Sequence, residues 1–252
     1  MKKNKPILYI GAHSDDVAIG CSISIHRDSK NAFVFSVTNG APHETYPAIQ
    51  SGIKFQSPWE YMGRRVVEDK KAMKLLGVDI DNNYFNGEFN DQEIHVYIPE
   101  LTELIEQIVT EKGIERIITH EFPQSHPDHE VVSLCSHFVG QKSGIEVWEY
   151  PMYGFDKKGK LRVRKFLSSH EKVSTIRYSQ EESDLRKKVL ECYETQSFIR
   201  EGFKGEKESF GRSERNLIDL PDSKYFYGDE KGKPKPQYIR QLFSRFFKYH
   251  KI

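Results

Sequence analysis

The sequence predicts an α/β fold built on a mostly parallel β-sheet. Apolar, β-rich runs at residues 6–12 (PILYIGA) and 32–38 (AFVFSVT) alternate only weakly, as strands buried on both faces do. Helical periodicity fills later stretches, and strand-like runs follow those helices directly. The order strand, helix, strand points to βαβ units, with the last third of the chain capping the core.

Taken in order, the first two runs read as central strands. A helix over residues 58–76 follows from Met62, Val66, Met73 and Leu76 at helical spacing, with Pro58 near its start and Gly77 just past its end. Leu101, Leu104, Ile105, Ile108 and Val109 trace one face of a second helix, which stops near Gly113 and leads into a strand at Ile114–Thr119. Another helix carries Val131, Val132, Leu134, Cys135, Phe138 and Val139, and a strand follows at 145–150 (IEVWEY). Beyond residue 155 the pattern changes. Residues 165–179 read as strand and 182–196 as helix, with Leu185, Val189 and Cys192 on one side. Glycine, proline and charge over 200–236 read as loops. The basic tail carries Ile239, Leu242, Phe243, Phe246 and Phe247 at helical spacing, and is read as a helix packed on the domain or on a second subunit, not on a membrane surface. The division is therefore residues 1–200 as the main domain and 201–252 as C-terminal loops and helix. A homo-oligomer stays open.

Composition removes several classes of partner. Among 252 residues, 38 Lys+Arg balance 37 Asp+Glu for a formal charge of +1, so no global field draws the chain to nucleic acid. Cys21, Cys135 and Cys192 are odd in number and lack CxxC spacing, which suits a reducing compartment, the cytoplasm by default. The start is a poor match to a secretory signal peptide, and no window approaches the roughly 20 apolar residues of a membrane-spanning helix.

Two polar clusters carry the chemistry: GAHSDDVAIGC at 11–21 and SHPDHE at 125–130. The first follows the first strand at once. The second follows the 114–119 strand by a short loop holding His120 and Glu121. In an open parallel sheet ligands bind beyond the carboxyl ends of the strands, so both clusters fall on one rim. A hydrolytic zinc site uses three protein N/O ligands and keeps one position open; His13, Asp16 and one of His126 or His129 suit Zn²⁺, with Fe²⁺ as the alternative ion. Asp15 is then a spare carboxylate for proton transfer, and the remaining histidine is placed to stabilise an oxyanion. His120 is grouped with the substrate-side residues or, with Glu121, as a partner that orients a ligand histidine. A purely structural explanation competes: Ser125 or His126 as helix cap, Pro127 at the first helical position and Asp128 favoured by the helix dipole. It leaves His129 unexplained. Gly11 and Gly20 are read as backbone allowances around the first turn, and the long stretch 39–57 as a lid or substrate wall in which Tyr46 and Phe55 stack on a ligand. His43, His95, His137 and His170 are assigned to surface or core.

GAHSDD together with SHPDH resembles the PIG-L/LmbE-like de-N-acetylase family, which shows an AHPDD-type motif after the first strand and an HPDH motif later. The likeness spans about residues 6–150, and ECYETQ at 191–196 is similar to the family's Y-x-S-Q element. The resemblance implies a Rossmann-like fold with helices on both faces and a zinc-dependent amidase acting on an N-acetylated sugar or glycoconjugate. It implies His13, Asp16 and His129 as metal ligands, Asp15 as general base and His126 as oxyanion stabiliser. Arg65 and Glu68 match an R-x-x-E pair whose arginine faces substrate, with Arg64 competing for that place, and Asp91 matches an aspartate that contacts sugar hydroxyls. Ser14 replaces the family's usual proline, Val17-Ala18 replace an acidic residue, and Gln124 stands where some members carry tyrosine. The rival from another class is a non-catalytic metal- or sugar-binding module on the same fold. A nucleotide- or cofactor-binding Rossmann protein is a second and weaker rival, since residues 11–20 lack the GxGxxG spacing and their acidic pair repels pyrophosphate; a GxSxG hydrolase is excluded, because its motif is absent.

Overall fold

The computed structural model describes residues 5–42, 52–197, 202–217, 219–226 and 233–250. Five parallel strands form the centre: β1 (Ile7–Gly11), β2 (Ala32–Pro42), β3 (Tyr84–Asp91), β4 (Arg116–His120) and β5 (Glu146–Tyr150). Two more, β8 (Lys172–Arg177) and β9 (Lys207–Arg212), extend the sheet antiparallel beyond β5, giving the order β3-β2-β1-β4-β5-β9-β8. A short hairpin, β6 (Tyr153–Phe155) and β7 (Leu161–Val163), stands apart. The strand order reverses direction between β1 and β4, which pair directly, and this switch point opens a crevice at their carboxyl ends.

Helices cover both faces. Along β1, Leu8 and Ile10 point into one apolar layer, with α3 (Ile98–Lys112), α4 (Pro127–Ser143) and α6 (Pro236–His250); Ile7 and Tyr9 point into the other, with α1 (Asp16–Arg27), α2 (Pro58–Leu75) and α5 (Gln180–Glu191). This two-sided burial is why β1 lacks polar alternation. The tail helix α6 packs on its own domain: Ile239, Phe243 and Phe247 are buried, and the rings of Phe246 and Phe247 lie 5.1 and 5.8 Å from that of Phe138 in α4.

Several expectations are corrected. Helix α1 gave no periodic signal because nine of its twelve residues are buried, so it has no polar stripe. The strand expected over 165–179 is confined to β8. The stretch 200–236, read as loops, contains β9; its sequence KESFGR hides a strand because the buried inward position is the charged Glu208, which accepts from Ile23 N (2.8 Å), Ser24 N (2.9 Å) and Ser22 Oγ (3.2 Å) of α1. Residues 39–42 of the presumed lid belong to β2, while 43–51, with Tyr46, lie outside the described residues. Phe55 meets Tyr61 edge-on at 5.1 Å.

Gly20 is not a turn residue. It lies inside α1, where a Cβ would come 2.3 Å from the Tyr150 ring. Gly20→Ala must push α1 off β5, and we expect a loss of roughly 1–3 kcal/mol, read as a lower denaturant midpoint at unchanged slope.

Candidate active site

The first strand–helix turn folds on itself. Asp15 is the residue before α1, Asp16 opens the helix, and the Asp16 carboxylate reaches back to accept from His13 N at 2.7 Å. That bond turns the His13 ring inward. From the β4 side, His126 caps α4 by accepting from Asp128 N through its Nδ1 (3.3 Å), with Pro127 in the first turn. Capping and chemistry are thus compatible in this segment: the cap fixes the His126 ring, and His129 one turn into α4 faces β1.

Three donor atoms converge. His13 Nδ1 lies 3.1 Å from Asp16 Oδ2, and His129 Nε2 lies 3.3 Å from each of them. Donors held about 2.0–2.1 Å from a tetrahedral ion lie roughly 3.3 Å from one another, so this His₂Asp triangle has the edge lengths such an ion requires. A third imidazole nitrogen, His120 Nε2, also lies 3.3 Å from Asp16 Oδ2, so three histidines crowd one carboxylate oxygen. Behind the triangle, His13 Nε2 contacts Asp91 Oδ1 (3.0 Å) and Asp128 Oδ2 (3.5 Å), and Asp128 takes Gln92 N at 2.6 Å. Carboxylates on the outer nitrogen fix a ligand histidine's tautomer and orientation.

The local field follows from these contacts. Burial opposes charge on His13, but Asp91 and Asp16 outweigh it and hold the imidazolium well above its ordinary range. Burial likewise works against Asp16, yet His129, His120 and His13 keep it well below the carboxylate range. Asp15 is raised by burial, partly offset by Arg65. Asp128 is pushed up to about 6 by burial. Burial, reinforced by His13, lowers His126 well below its usual value; with Nδ1 accepting from Asp128 N, its Nε2 carries the proton.

Arg65, not Arg64, faces the site. It is 4% exposed and donates Nη2 to Asp15 Oδ1 (2.9 Å) and Nη1 to Tyr61 Oη (3.1 Å). Arg64 points outward to Glu194 (2.6 Å) and Glu68 (3.3 Å). Glu68 accepts from Thr195 N (3.1 Å) and Oγ1 (2.6 Å), docking the 194–196 turn so that Gln196 Nε2 reaches Tyr61 Oη at 2.8 Å. Neighbouring Asp69 accepts Ser36, Tyr84 and Tyr193 hydroxyls at 2.7, 2.7 and 2.6 Å and anchors the same turn to the sheet.

Of the residues singled out from sequence, His13, Asp15, Asp16, Arg65, Asp91 and His126 line one cavity of about 870 Å³, and the fully buried His129 contacts two of them, His13 and Asp16. Two readings change. His120 is fully buried beneath the cavity; its Nε2 accepts from Ala12 N (2.9 Å) and its ring stacks on His129 at 4.0 Å, so it supports a neighbour and does not meet a substrate. Burial, together with His129, drops it to about 3, which keeps it neutral. Among the described residues Glu121 contacts none of the site histidines; it straps Leu167 N and Ser168 N, both at 2.7 Å. Asp91 lines the cavity as expected and also orients His13. Sequence reasoning missed Asp128 behind His13, Tyr61, and the aromatic wall of Tyr153, Phe203 and Phe226. The spacing of Tyr61 one helical turn before Arg65 was the available signal.

Comparison with known proteins agrees with this geometry. The family model for PIG-L (GlcNAc-PI de-N-acetylase) matches residues 8–137. The uncharacterized deacetylase YaiS of Escherichia coli K12 is 26% identical over 140 residues, 53% of this chain and 67% of that protein. Among solved structures, the zinc-inhibited form of the teicoplanin deacetylase Orf2 superposes with a TM-score of 0.63 at 17% identity, over 83% of this chain and 99% of the other. The N,N'-diacetylchitobiose deacetylase of Pyrococcus horikoshii superposes with a TM-score of 0.56 at 16% identity, over 84% and 85%. With both motifs on one rim and the family model spanning half of its residues, the chain belongs to the PIG-L family of de-N-acetylases.

Proposed function

We propose that this protein is a zinc-dependent hydrolase that removes the N-acetyl group from an amino-sugar-containing substrate. The observation that carries the reading is the His13–Asp16–His129 triangle beside a fourth group, Asp15, that stays out of it and is clamped by Arg65. His13, Asp16 and His129 are the residues that would hold the ion. Zinc bound there supplies an activated water and a Lewis acid for the acetamide carbonyl.

The chain's own groups do the rest in this reading. Arg65 fixes one oxygen of Asp15, and the other takes the proton of the attacking water and returns it to the departing amine. The neutral His126, protonated at Nε2, donates to the oxyanion as the carbonyl carbon becomes tetrahedral. Arg65, Tyr61 and Gln196 form a hydrogen-bonding wall for sugar hydroxyls, and Tyr153, Phe203 and Phe226 offer apolar ring faces opposite. Acetate and a free amine leave.

The supporting comparisons are solved structures named as a teicoplanin deacetylase and an N,N'-diacetylchitobiose deacetylase. Among the described residues no helix is long and apolar enough to cross a membrane. The three cysteines are buried free thiols, as suits a reducing compartment such as the cytoplasm. The test is metal analysis of the purified chain coupled to a screen for acetate release across N-acetyl sugars. About one equivalent of zinc with acetate from at least one sugar supports the enzyme; zinc without acetate from any of them assigns a binding module.

A further inference from the structure

A second hollow, of about 730 Å³, adjoins the active-site cavity and is built from the same segments. Val163 lines both; Ile19 in the cavity is followed by Gly20 in the hollow, and Gly202 and Phe203 are followed by Lys204 and Gly205. Charge changes sharply across this boundary. The hollow presents Arg164, Lys165, Arg177, Lys204 and Lys207 against the single carboxylate of Glu206 among its described lining.

Ordinary solvated lysines do not account for this, because Arg164 is built in. Its backbone is held in the left-handed region (φ 52°), a conformation that costs a non-glycine residue about 1 kcal/mol or more. Its guanidinium donates to Phe203 O (3.3 Å), to Tyr178 Oη (3.1 Å) and to Lys207 O, and it lies so close to Gly205 that a Cβ there would meet Nη1 at 2.7 Å. Every one of these acceptors is neutral. Among the described residues no carboxylate comes within 4.0 Å of Arg164, Lys165, Arg177 or Lys207. Behind the 204–206 segment lies Arg186, 4% exposed, with Nη2 on Ile19 O and a buried Nε that has no partner. The buried carboxylate on this side, Glu208, is held by α1 and accepts from Tyr178 Oη (3.2 Å), the hydroxyl that Arg164 meets, so it balances part of this charge from behind without pairing Arg164 directly. Cations that no described carboxylate pairs within 4.0 Å, in a hollow that shares Val163 with the reaction cavity, are the preparation expected for a ligand oxyanion.

We infer that this hollow is a subsite for a phosphate or diphosphate attached to the amino sugar, so that the substrate is a phosphorylated N-acetyl sugar. This rests on the deacetylase reading of the adjoining cavity. With the acetamide against Asp15 and the sugar along Val163 and Phe203, the phosphoryl oxygens reach Lys165 and Lys207, with Arg164 holding the two segments that carry them.

The experiment compares acetate release by the zinc-loaded full chain from N-acetylglucosamine, N-acetylglucosamine 1-phosphate and UDP-N-acetylglucosamine, before and after Lys165→Glu/Lys207→Glu. Both lysines are exposed, and Lys165→Gln/Lys207→Gln with circular dichroism controls for folding. We expect the wild type to favour a phosphorylated sugar by about tenfold or more in kcat/KM, through KM, with the preference shrinking as salt rises. The double variant should abolish the preference and leave N-acetylglucosamine turnover unchanged. Equal kcat/KM for neutral and phosphorylated sugars, or an equal loss on both in the variant, overturns the subsite while the deacetylase stands. If no sugar releases acetate, the deacetylase reading fails, and calorimetry with inorganic pyrophosphate judges the hollow by itself: binding lost in the double variant retains an oxyanion site, and no binding removes it. Lysine-dependent binding to anionic phospholipid vesicles with no preference among the soluble sugars assigns the patch to a membrane surface and overturns the inference.

Discussion

Asp15→Asn lowers turnover by roughly 10²–10⁴-fold while zinc content stays at its wild-type level, the range expected when a positioned general base is removed. The asparagine keeps the size of the side chain and an oxygen for Arg65, whose Nη2 sits 2.9 Å from Asp15 Oδ1, so the neighbouring donor triangle is left in place. Activity and metal are measured on the same preparation. Loss of zinc in this variant makes Asp15 a ligand and overturns the division of labour between the two adjacent aspartates. The pair is separated by geometry: Asp16 Oδ2 is the oxygen on which His13 N, His13 Nδ1 and His129 Nε2 converge, whereas Asp15 turns to α2.

His129→Ala raises the zinc dissociation constant by more than about 10²-fold and removes deacetylation with it, whereas Asp91→Asn, one contact further out on His13 Nε2, weakens zinc by about 10–100-fold. The ordering matters more than either value. A ligand and its orienting partner differ in this sense only if the ion sits between His13 Nδ1 and His129 Nε2. Equal losses in the two variants, or zinc retained in His129→Ala, contradict the assignment. Both are read by competition with a chromogenic chelator, with the fold checked by circular dichroism. His129 is fully buried, so its removal leaves a cavity as well as an open ligand position.

Much of the site was legible because its residues sit where strand ends must put them. Once β1 and β4 are recognised as buried parallel strands, the rim at their carboxyl ends is fixed by topology, and His13, Asp15, Asp16, His126 and His129 follow. Other features depend on contacts that sequence spacing does not encode. His120 looks like a cavity residue from its position at the end of β4, but strand alternation and the backbone N–H of Ala12 turn it below the floor. Arg64 and Arg65 are adjacent and chemically alike, and only the rotation of α2 selects Arg65. Strand β9 was hidden by the buried Glu208, a charge that only the backbone of α1 makes acceptable there. Gly20 looked like part of a turn because the reason for it, the Tyr150 ring, comes from β5, far away in sequence.

The acidic residue missing after Asp16 has a structural counterpart. Val17 and Ala18 are buried in the apolar layer under α2, and the carboxylates that orient His13 come from Asp91 and Asp128. In the proposed metal set, His13 is thus held from β3 and α4.

The central claim is a metal-dependent deacetylase centred on His13, Asp16 and His129, and chelation followed by reconstitution tests it most directly. Dialysis against a chelator should abolish acetate release from the responsive N-acetyl sugar, and titration with zinc should restore it to a maximum at about one equivalent in the wild type but not in His129→Ala. Acetate release that survives complete removal of metal, or that zinc restores equally in His129→Ala, contradicts the account.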